Sequence, residues 1–327
     1  MEVPAIHTPA NAMSTLTDPL DPDCAPAASD PAVFGGVEAG GTKWVCAKGT
    51  GPGDLTEVEV IPTTTPPETL GRVVEFFKRD SVRVAALGVG SFGPVDVRVG
   101  SETFGWITKT AKPGWSNTNV VGALSEELDI PVAFDTDVNA AALAEQRWGV
   151  ARGLSNFIYM TVGTGIGAGI VLNGRPVHGL MHPEFGHILI PHDHAVDPFP
   201  GSCPFHRDCL EGVASGEALR ARYGKPAEQL DDQAAWALEA RYLAMGIMNA
   251  VLTLSPERVV LGGGVVKKPG LLPIVRTQVE ELMSGYIELA REVGNIDHFI
   301  VPPALSDRAG VLGALHLAMA AHPGLAK

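Results

Sequence analysis

The stretch that decides the fold is Val37-Glu38-Ala39-Gly40-Gly41-Thr42-Lys43-Trp44-Val45-Cys46, which is predicted to form a strand, a glycine turn and a returning strand. The second half repeats this pattern, with a strand over 157–162, the turn Gly163-Thr164-Gly165 and a returning strand over 166–172. Apolar strands alternate with helical segments elsewhere, which indicates an α/β architecture. Two hairpins that each open one half of the chain predict two similarly built domains around a cleft.

Apolar spacing predicts the remaining elements and the domain bounds. The predicted helices are 67–80, 120–128, 138–148 and 232–255, with others beginning near Leu271 and Ala309, and the further strands are 82–89, 131–134, 258–261 and 299–301. The first domain is predicted to span 34–136 and the second 137–308, with the final helix, about 309–322, packing back on the first. Residues 1–33 are rich in Pro, Ala and Asp and are predicted to be a flexible tail.

Composition excludes several classes of function. The 327-residue chain is 45% hydrophobic and has a formal net charge of -13. An acidic surface argues against binding to nucleic acid through a broad basic face and against docking on anionic membranes. The sequence has no apolar stretch long enough to span a bilayer. A targeting peptide would carry Lys or Arg, and residues 1–33 contain neither. We therefore expect a cytoplasmic protein.

Glycine turns that follow apolar strands are candidate phosphate sites. Without a Cβ, glycine lets backbone N–H groups approach a phosphate closely. A single turn of this kind is also typical of an ordinary hairpin, but three turns in register with the domain repeat favour phosphate binding. The spacing matches neither a P-loop nor a dinucleotide fingerprint, since a strand and not a helix follows Gly165. The candidates are Gly40, Gly41, Thr42 and Lys43; Gly163, Thr164 and Gly165; and Gly262, Gly263 and Gly264.

Asp135-Thr136-Asp137 lies between a predicted buried strand and a predicted helix. An aspartate at a helix start often serves only as an N-cap. Phosphoryl transfer from ATP to an alcohol, however, requires a group that accepts the hydroxyl proton near the γ-phosphate. We take Asp137 as the candidate base and Asp135 as its structural partner. Asn139 is either a ligand of sugar hydroxyls or an ordinary first-turn residue.

Cys203, His206 and Cys209 have the C-x2-H-x2-C spacing of a loop that can surround a tetrahedral ion. The fourth ligand is expected from His187, His192 or His194, just upstream. Because this group fills all four positions, we expect a structural Zn²⁺ and not a catalytic one.

Together these motifs resemble the ROK family (repressors, open reading frames and kinases) of the actin-like, ribonuclease H-like ATPase superfamily. The resemblance extends from about Phe34 to the C-terminus and includes Thr161 in the second turn and Glu184-Phe185-Gly186-His187. It implies that Asp137 is the base, that Glu184 and His187 lie at the sugar site, and that His187 is also the fourth zinc ligand. Gly93, Pro94, Lys112 and Thr136 complete the implied sugar site.

Two departures from the pattern of the family's glucose-type kinases resemble its bacterial fructokinase branch. Glucose-type kinases carry Glu-Asn-Asp where this chain has Asp135-Thr136-Asp137, and two cysteines one residue apart where it has Cys203 and His206. The Lys112-Pro113-Gly114-Trp115 segment points the same way, with Trp115 either an aromatic wall of the sugar site or a core residue.

The resulting hypothesis is an enzyme that uses ATP and Mg²⁺ to phosphorylate D-fructose at its 6-hydroxyl, as a homodimer. One alternative is a kinase for another hexose, mannose or glucose. An alternative of another class is a sugar-responsive repressor, which shares this fold but carries an added N-terminal DNA-binding domain. The acidic segment 1–33 lacks the basic residues of such a domain.

Overall fold

The computed structural model describes residues 32–322, apart from the side chain of Ala290. The predicted tail therefore lies outside the described residues, except for Ala32 and Val33. Among the helices that the structure describes, none combines the length and the apolar character needed to cross a membrane.

The first half forms a mixed sheet with helices beside it. Its elements are β1 (Phe34–Ala39), β2 (Lys43–Gly49), β3 (Leu55–Pro62), α1 (Pro66–Lys78), β4 (Leu87–Ser91), β5 (Trp106–Ile107), β6 (Thr118–Asn119), α2 (Val120–Leu128), β7 (Val132–Thr136) and α3 (Asp137–Trp148). The sheet has the order β3-β2-β1-β4-β7, while β5 and β6 pair separately. β1 is antiparallel to β2 and parallel to β4, and β4 is parallel to β7.

The second half repeats this arrangement. Its elements are β8 (Phe157–Val162), β9 (Ile166–Leu172), β10 (Arg175–Pro176), α4 (Leu210–Ala214), α5 (Gly216–Tyr223), α6 (Gln233–Leu254), β11 (Arg258–Gly262), α7 (Leu271–Met283), α8 (Leu289–Val293), α9 (Ile296–Phe299), β12 (Ile300–Val301) and α10 (Ala309–Ala321). The sheet order is β10-β9-β8-β11-β12, with β8 antiparallel to β9 and parallel to β11. Each half therefore has an antiparallel hairpin, as its glycine turn predicts, followed by parallel strands.

Two helices link the halves. α3 follows directly from β7 of the first sheet and packs on β8 and β9 of the second. α10 packs on β1, β4 and α3. A Cβ at Gly88 of β4 would lie 1.8 Å from the backbone oxygen of Ala314, so this close approach of strand and helix requires glycine. Each half also has its own apolar core, one around Trp44 and Phe76 and the other around Trp236 and Ile158.

Most predicted elements agree with the structure to within two residues, but the strand predicted over 82–89 is wrong in part. The strand predicted over 82–89 begins only at Leu87. The backbone N–H of Val82 instead donates to the carboxylate of Asp80, and the Val82 side chain is exposed, so the chain turns before it joins the sheet. The strand predicted from Phe299 begins at Ile300, because Phe299 ends a short helix that Asn295 caps.

Candidate active site and metal centre

Three loops of the first sheet meet at one edge. Parallel pairing places Ala39 beside Ser91, and Ser91 beside Thr136. The carboxyl ends of β1, β4 and β7 are therefore level, which is where α/β folds bind their ligands. The first glycine turn, the Gly93-Pro94 loop and the start of α3 follow these three ends.

The second sheet brings the other two glycine turns together. Gly262 pairs with Thr161, so the loops after β8 and β11 leave the sheet side by side. Gly263 has a φ of +98°, and a Cβ there would lie 2.3 Å from the backbone oxygen of Val162. Only glycine fits this position, because both the dihedral angle and the space exclude a side chain. The structure thus explains why this turn needs glycine.

Asp137 is the first residue of α3 but does not cap it. Thr136 is the N-cap, and its hydroxyl accepts a hydrogen bond from the backbone N–H of Asn139 at 3.1 Å. The Asp137 carboxylate accepts a hydrogen bond from the backbone N–H of its neighbour Val138, at 2.9 Å. Burial, followed by the charges of Glu38 and Glu184, raises the pKa of Asp137 to about 7. The carboxylate is therefore free of a capping role and has the pKa of a proton acceptor.

Glu38 is an acidic residue of this site that sequence reasoning did not assign. It lies at the end of β1, and burial raises its pKa while the charge of Lys43 lowers it. The pKa of Tyr159 on β8 is raised by burial and then by the charges of Glu145, Glu38 and Asp137. Acidic groups of the first sheet thus lie near the second sheet. The signal in the sequence that could have indicated Glu38 is a charged residue near the end of an apolar strand.

Asp135 is held rigidly beside the candidate base. Its buried carboxylate accepts hydrogen bonds at 2.7 Å from both the Thr136 N–H and the Asn139 amide. Nε2 of His178 lies 3.0 Å from its other oxygen, and this contact raises the pKa of His178. Asn139 therefore supports Asp135 through its side-chain amide. His178 is a second residue that sequence reasoning missed.

The segment after β10 reaches the first half at a second point. His182 is buried, and its Nε2 accepts a hydrogen bond from the backbone N–H of Val95 at 3.0 Å, beside the Gly93-Pro94 loop. Two residues later, Glu184 keeps a side-chain exposure of 37%. Burial and then the charge of Glu211 raise the pKa of Glu184 to about 7. Glu211 in turn accepts a hydrogen bond from the backbone N–H of Ile166, next to the second glycine turn.

Trp115 and Lys112 of the Lys112-Pro113-Gly114-Trp115 segment lie in different surroundings. Trp115 is fully buried against Trp44, and its indole N–H donates to the backbone oxygen of Thr64. It is thus a core residue of the first half, and the interpretation as a sugar-site wall is wrong, because its side chain is fully buried and its N–H is bonded inside that core. Lys112 is half-buried in the turn that precedes it.

The predicted metal ligands converge, and one histidine completes the set. Nδ1 of His187 lies 3.7 Å from the sulfur of Cys203 and 3.6 Å from that of Cys209. Nδ1 of His206 lies 3.8 Å from the Cys203 sulfur. A tetrahedral Zn²⁺ with bonds of about 2.3 Å to sulfur and about 2.0 Å to nitrogen separates its ligands by about 3.3–3.8 Å. The four atoms therefore suit one ion, with His187 and neither His192 nor His194 as the fourth ligand.

Comparison with known proteins identifies the family. The model of the ROK family matches residues 34–321. The chain belongs to the ROK family. It is 44% identical over 301 residues to a fructokinase of Zymomonas mobilis, covering 90% of this chain and 98% of that one. It is 42% identical over 286 residues to a fructokinase of Lactococcus lactis, covering 87% and 96%.

A solved structure is similar over the same region. The ROK hexokinase of Thermus thermophilus is 29% identical with a TM-score of 0.70, covering 88% of this chain and 97% of that one. The resemblance and the actin-like fold class predicted from the sequence are thereby confirmed. The ROK match begins at the residue that opens β1, so it includes both glycine-turn hairpins, the start of α3 and the metal cluster.

Proposed function

We propose that this ROK protein is a fructokinase, which transfers the γ-phosphoryl group of ATP to the 6-hydroxyl of D-fructose. The observation that carries the proposal is the Asp137 carboxylate at the carboxyl end of β7, where it is not needed as a helix cap and has a pKa of about 7. The identity to fructokinases over about nine-tenths of the chain supports fructose as the sugar.

Asp137 acts as the general base in this proposal. It accepts the proton of the sugar hydroxyl as the oxygen attacks the γ-phosphorus and the bond to the β-phosphate oxygen of ATP breaks. A base is most effective when its pKa lies near the working pH, since it is then both ionised and able to hold the proton. Burial and the neighbouring charges of Glu38 and Glu184 set that pKa.

The three glycine turns hold the phosphates. Gly40 to Lys43 come from the first half, and Thr161 to Gly165 with Gly262 to Gly264 come from the second. Backbone N–H groups in such turns bind phosphate oxygens. Lys43 is exposed at the first turn and adds a positive charge there.

The acidic residues fit a magnesium ion. Glu38 and Asp137 are carboxylates whose pKa values are raised chiefly by burial, and carboxylate oxygens are ligands that Mg²⁺ prefers. Glu38 is the residue that we expect to hold Mg²⁺ or one of its waters. When bound, Mg²⁺ offsets phosphate charge during transfer.

The sugar is proposed to lie between the two halves. Gly93, Pro94 and Thr136 line it from the first half, and Glu184 with His187 from the second. Thr136 offers one hydroxyl, already used to cap α3, where the glucose-type pattern has an amide. It cannot make the same pair of hydrogen bonds to adjacent hydroxyls, and an unpaired buried polar group discriminates strongly between sugars.

Zn²⁺ has a structural role in the proposal. Its four ligands leave no open position for substrate. His187 ends the helical turn that Glu184 begins, so an ion on His187 fixes the backbone that presents Glu184.

A coupled assay of ADP release with fructose, mannose and glucose tests this function. We expect kcat/KM to be at least about tenfold higher for fructose than for glucose, which requires about 1.4 kcal/mol of differential transition-state binding. Mannose should lie between them. A higher kcat/KM for glucose than for fructose would contradict fructose as the preferred sugar but would still support a sugar kinase. If none of the three sugars gives ADP release, the sugar-responsive repressor is favoured instead.

A further inference from the structure

A second group of metal-type ligands lies near the four-residue zinc centre, and the proposed catalysis does not use it. It consists of His192, His194 and Asp208, whose ligand atoms all lie within 4.8 Å of one another. We propose that these three side chains bind a second divalent transition-metal ion, such as Zn²⁺ or Co²⁺, with solvent completing its coordination.

The distances suit ligands of a single ion. The Oδ2 atom of Asp208 lies 3.2 Å from Nδ1 of His192 and 3.6 Å from Nε2 of His194. An ion bound at about 2.0–2.2 Å to each atom separates tetrahedral ligands by about 3.3–3.6 Å. The two imidazole rings are 4.1 Å apart at their centroids, and one nitrogen of each lies within 4.8 Å of the other and of the Asp208 carboxylate.

The contacts of His192 are the second observation. Its Nε2 lies 3.0 Å from the backbone oxygen of Asp197, while its Nδ1 lies 3.2 Å from the Asp208 carboxylate. The ring is therefore anchored through Nε2 and turns Nδ1 toward Asp208. A cation at Nδ1 would be held by His192 and Asp208 together.

The other nitrogen already has the partner that metal-binding histidines need. A histidine ligand usually donates its second N–H to a carbonyl or carboxylate, which fixes the ring and the tautomer. Asp197 meets this need from a rigid position, because its buried carboxylate accepts from the Tyr242 hydroxyl at 2.7 Å and pairs with Arg222 at 3.0 Å. Arg222 also offsets the charge of the Asp197 carboxylate.

The chemistry of the three ligands defines the kind of ion and its exchange. Two imidazoles and one carboxylate suit Zn²⁺ and its neighbours in the first transition row. The His192 side chain is 3% exposed and that of His194 is 61% exposed, so one side of the ion is open to solvent. We therefore expect this ion to exchange more readily than one held by Cys203 and Cys209.

Counting metal in the full-length protein tests the proposal. Protein purified without a histidine tag is equilibrated with Co²⁺, freed of unbound ion by gel filtration, and analysed for zinc plus cobalt. We expect two ions per chain in the wild type and one in both His194→Gln and Asp208→Asn. His298→Gln, which replaces another exposed histidine outside the cluster, should retain two.

Three results would overturn the proposal. One is a wild-type total of one ion per chain, and another is a total of two that persists in both variants. The third comes from NMR of the imidazole nitrogens: a His192 protonated at both nitrogens after Co²⁺ is replaced by diamagnetic Zn²⁺ would show an ordinary ion pair with Asp208. Because His194 is exposed, His194→Gln keeps the test independent of folding.

Discussion

Replacing Asp137 with Asn should both inactivate the protein and stabilise it, with a stability gain that depends on pH. The folded protein raises the pKa of this carboxyl from 3.8 to about 7, chiefly by burial. Since a tenfold change in acidity corresponds to about 1.36 kcal/mol, the ionised form is disfavoured in the folded state by about 4 kcal/mol at high pH. Asn keeps the shape of the side chain without the charge.

The direction of this pH dependence follows from the protons that the folded and unfolded states bind. Between pH 3.8 and about 7 the folded wild type holds a proton that the unfolded chain has released. The free energy of unfolding of the wild type therefore falls as pH rises through this range and levels off above the folded pKa. Asn has no such proton, so the advantage of Asp137→Asn should grow by about 2 kcal/mol between pH 5.5 and pH 8.

Urea denaturation of both proteins at several pH values, without sugar or ATP, measures this difference. Asp129→Asn is the matched control, because Asp129 is exposed and has a φ of +53°, which Asn also tolerates. In the same preparations, kcat of Asp137→Asn should fall by about 10²–10⁴-fold, the usual contribution of a positioned base. A stability difference that stays constant with pH would refute the raised pKa, and a kcat above a tenth of wild type would refute the base.

Three further outcomes are expected. Glu38→Gln should lower the pKa of Asp137 in protein free of Mg²⁺ and ATP, as followed by NMR of the carboxyl carbon, because the Glu38 charge helps to raise that pKa; an unchanged pKa would contradict this coupling. Protein purified without chelator should contain zinc at the four-residue centre, and Cys209→Ser should lose it and unfold at lower urea, since structural zinc contributes folding free energy; equal zinc content and stability would exclude the site. Gly263→Ala should raise KM for ATP and lower stability by at least about 1 kcal/mol, because its Cβ would meet the Val162 oxygen; wild-type behaviour would show that this turn is not constrained.

Much of the fold was predictable because its signals are local. Both hairpins, α2 with its bounds and the long α6 follow from the spacing of apolar residues and from glycine positions. The strand predicted over 82–89 was too long because a run of apolar residues does not reveal a competing contact. In this case the Asp80 carboxylate binds the N–H of Val82 and turns the chain.

The candidate site was predictable where its chemistry lies in one short motif. Asp137 follows a buried strand, and Cys203, His206 and Cys209 lie within one loop. The fourth metal ligand could not be chosen by spacing, because three upstream histidines were all close enough in sequence. Only the folded loop places His187 between the two cysteines.

The sequence by itself determined the repeated α/β architecture, the positions of the glycine turns and the types of residue that carry the chemistry. Each of these follows from the order of residues within a short segment of the chain. The tertiary structure alone decided that Thr136 caps α3 and leaves Asp137 free, that Trp115 belongs to the core, and that Glu38 raises the pKa of Asp137. The physical reason is that pKa values and ligand sets depend on distances between segments far apart in the chain. Sheet pairing and the packing of α3 and α10 fix those distances, and no local pattern encodes them.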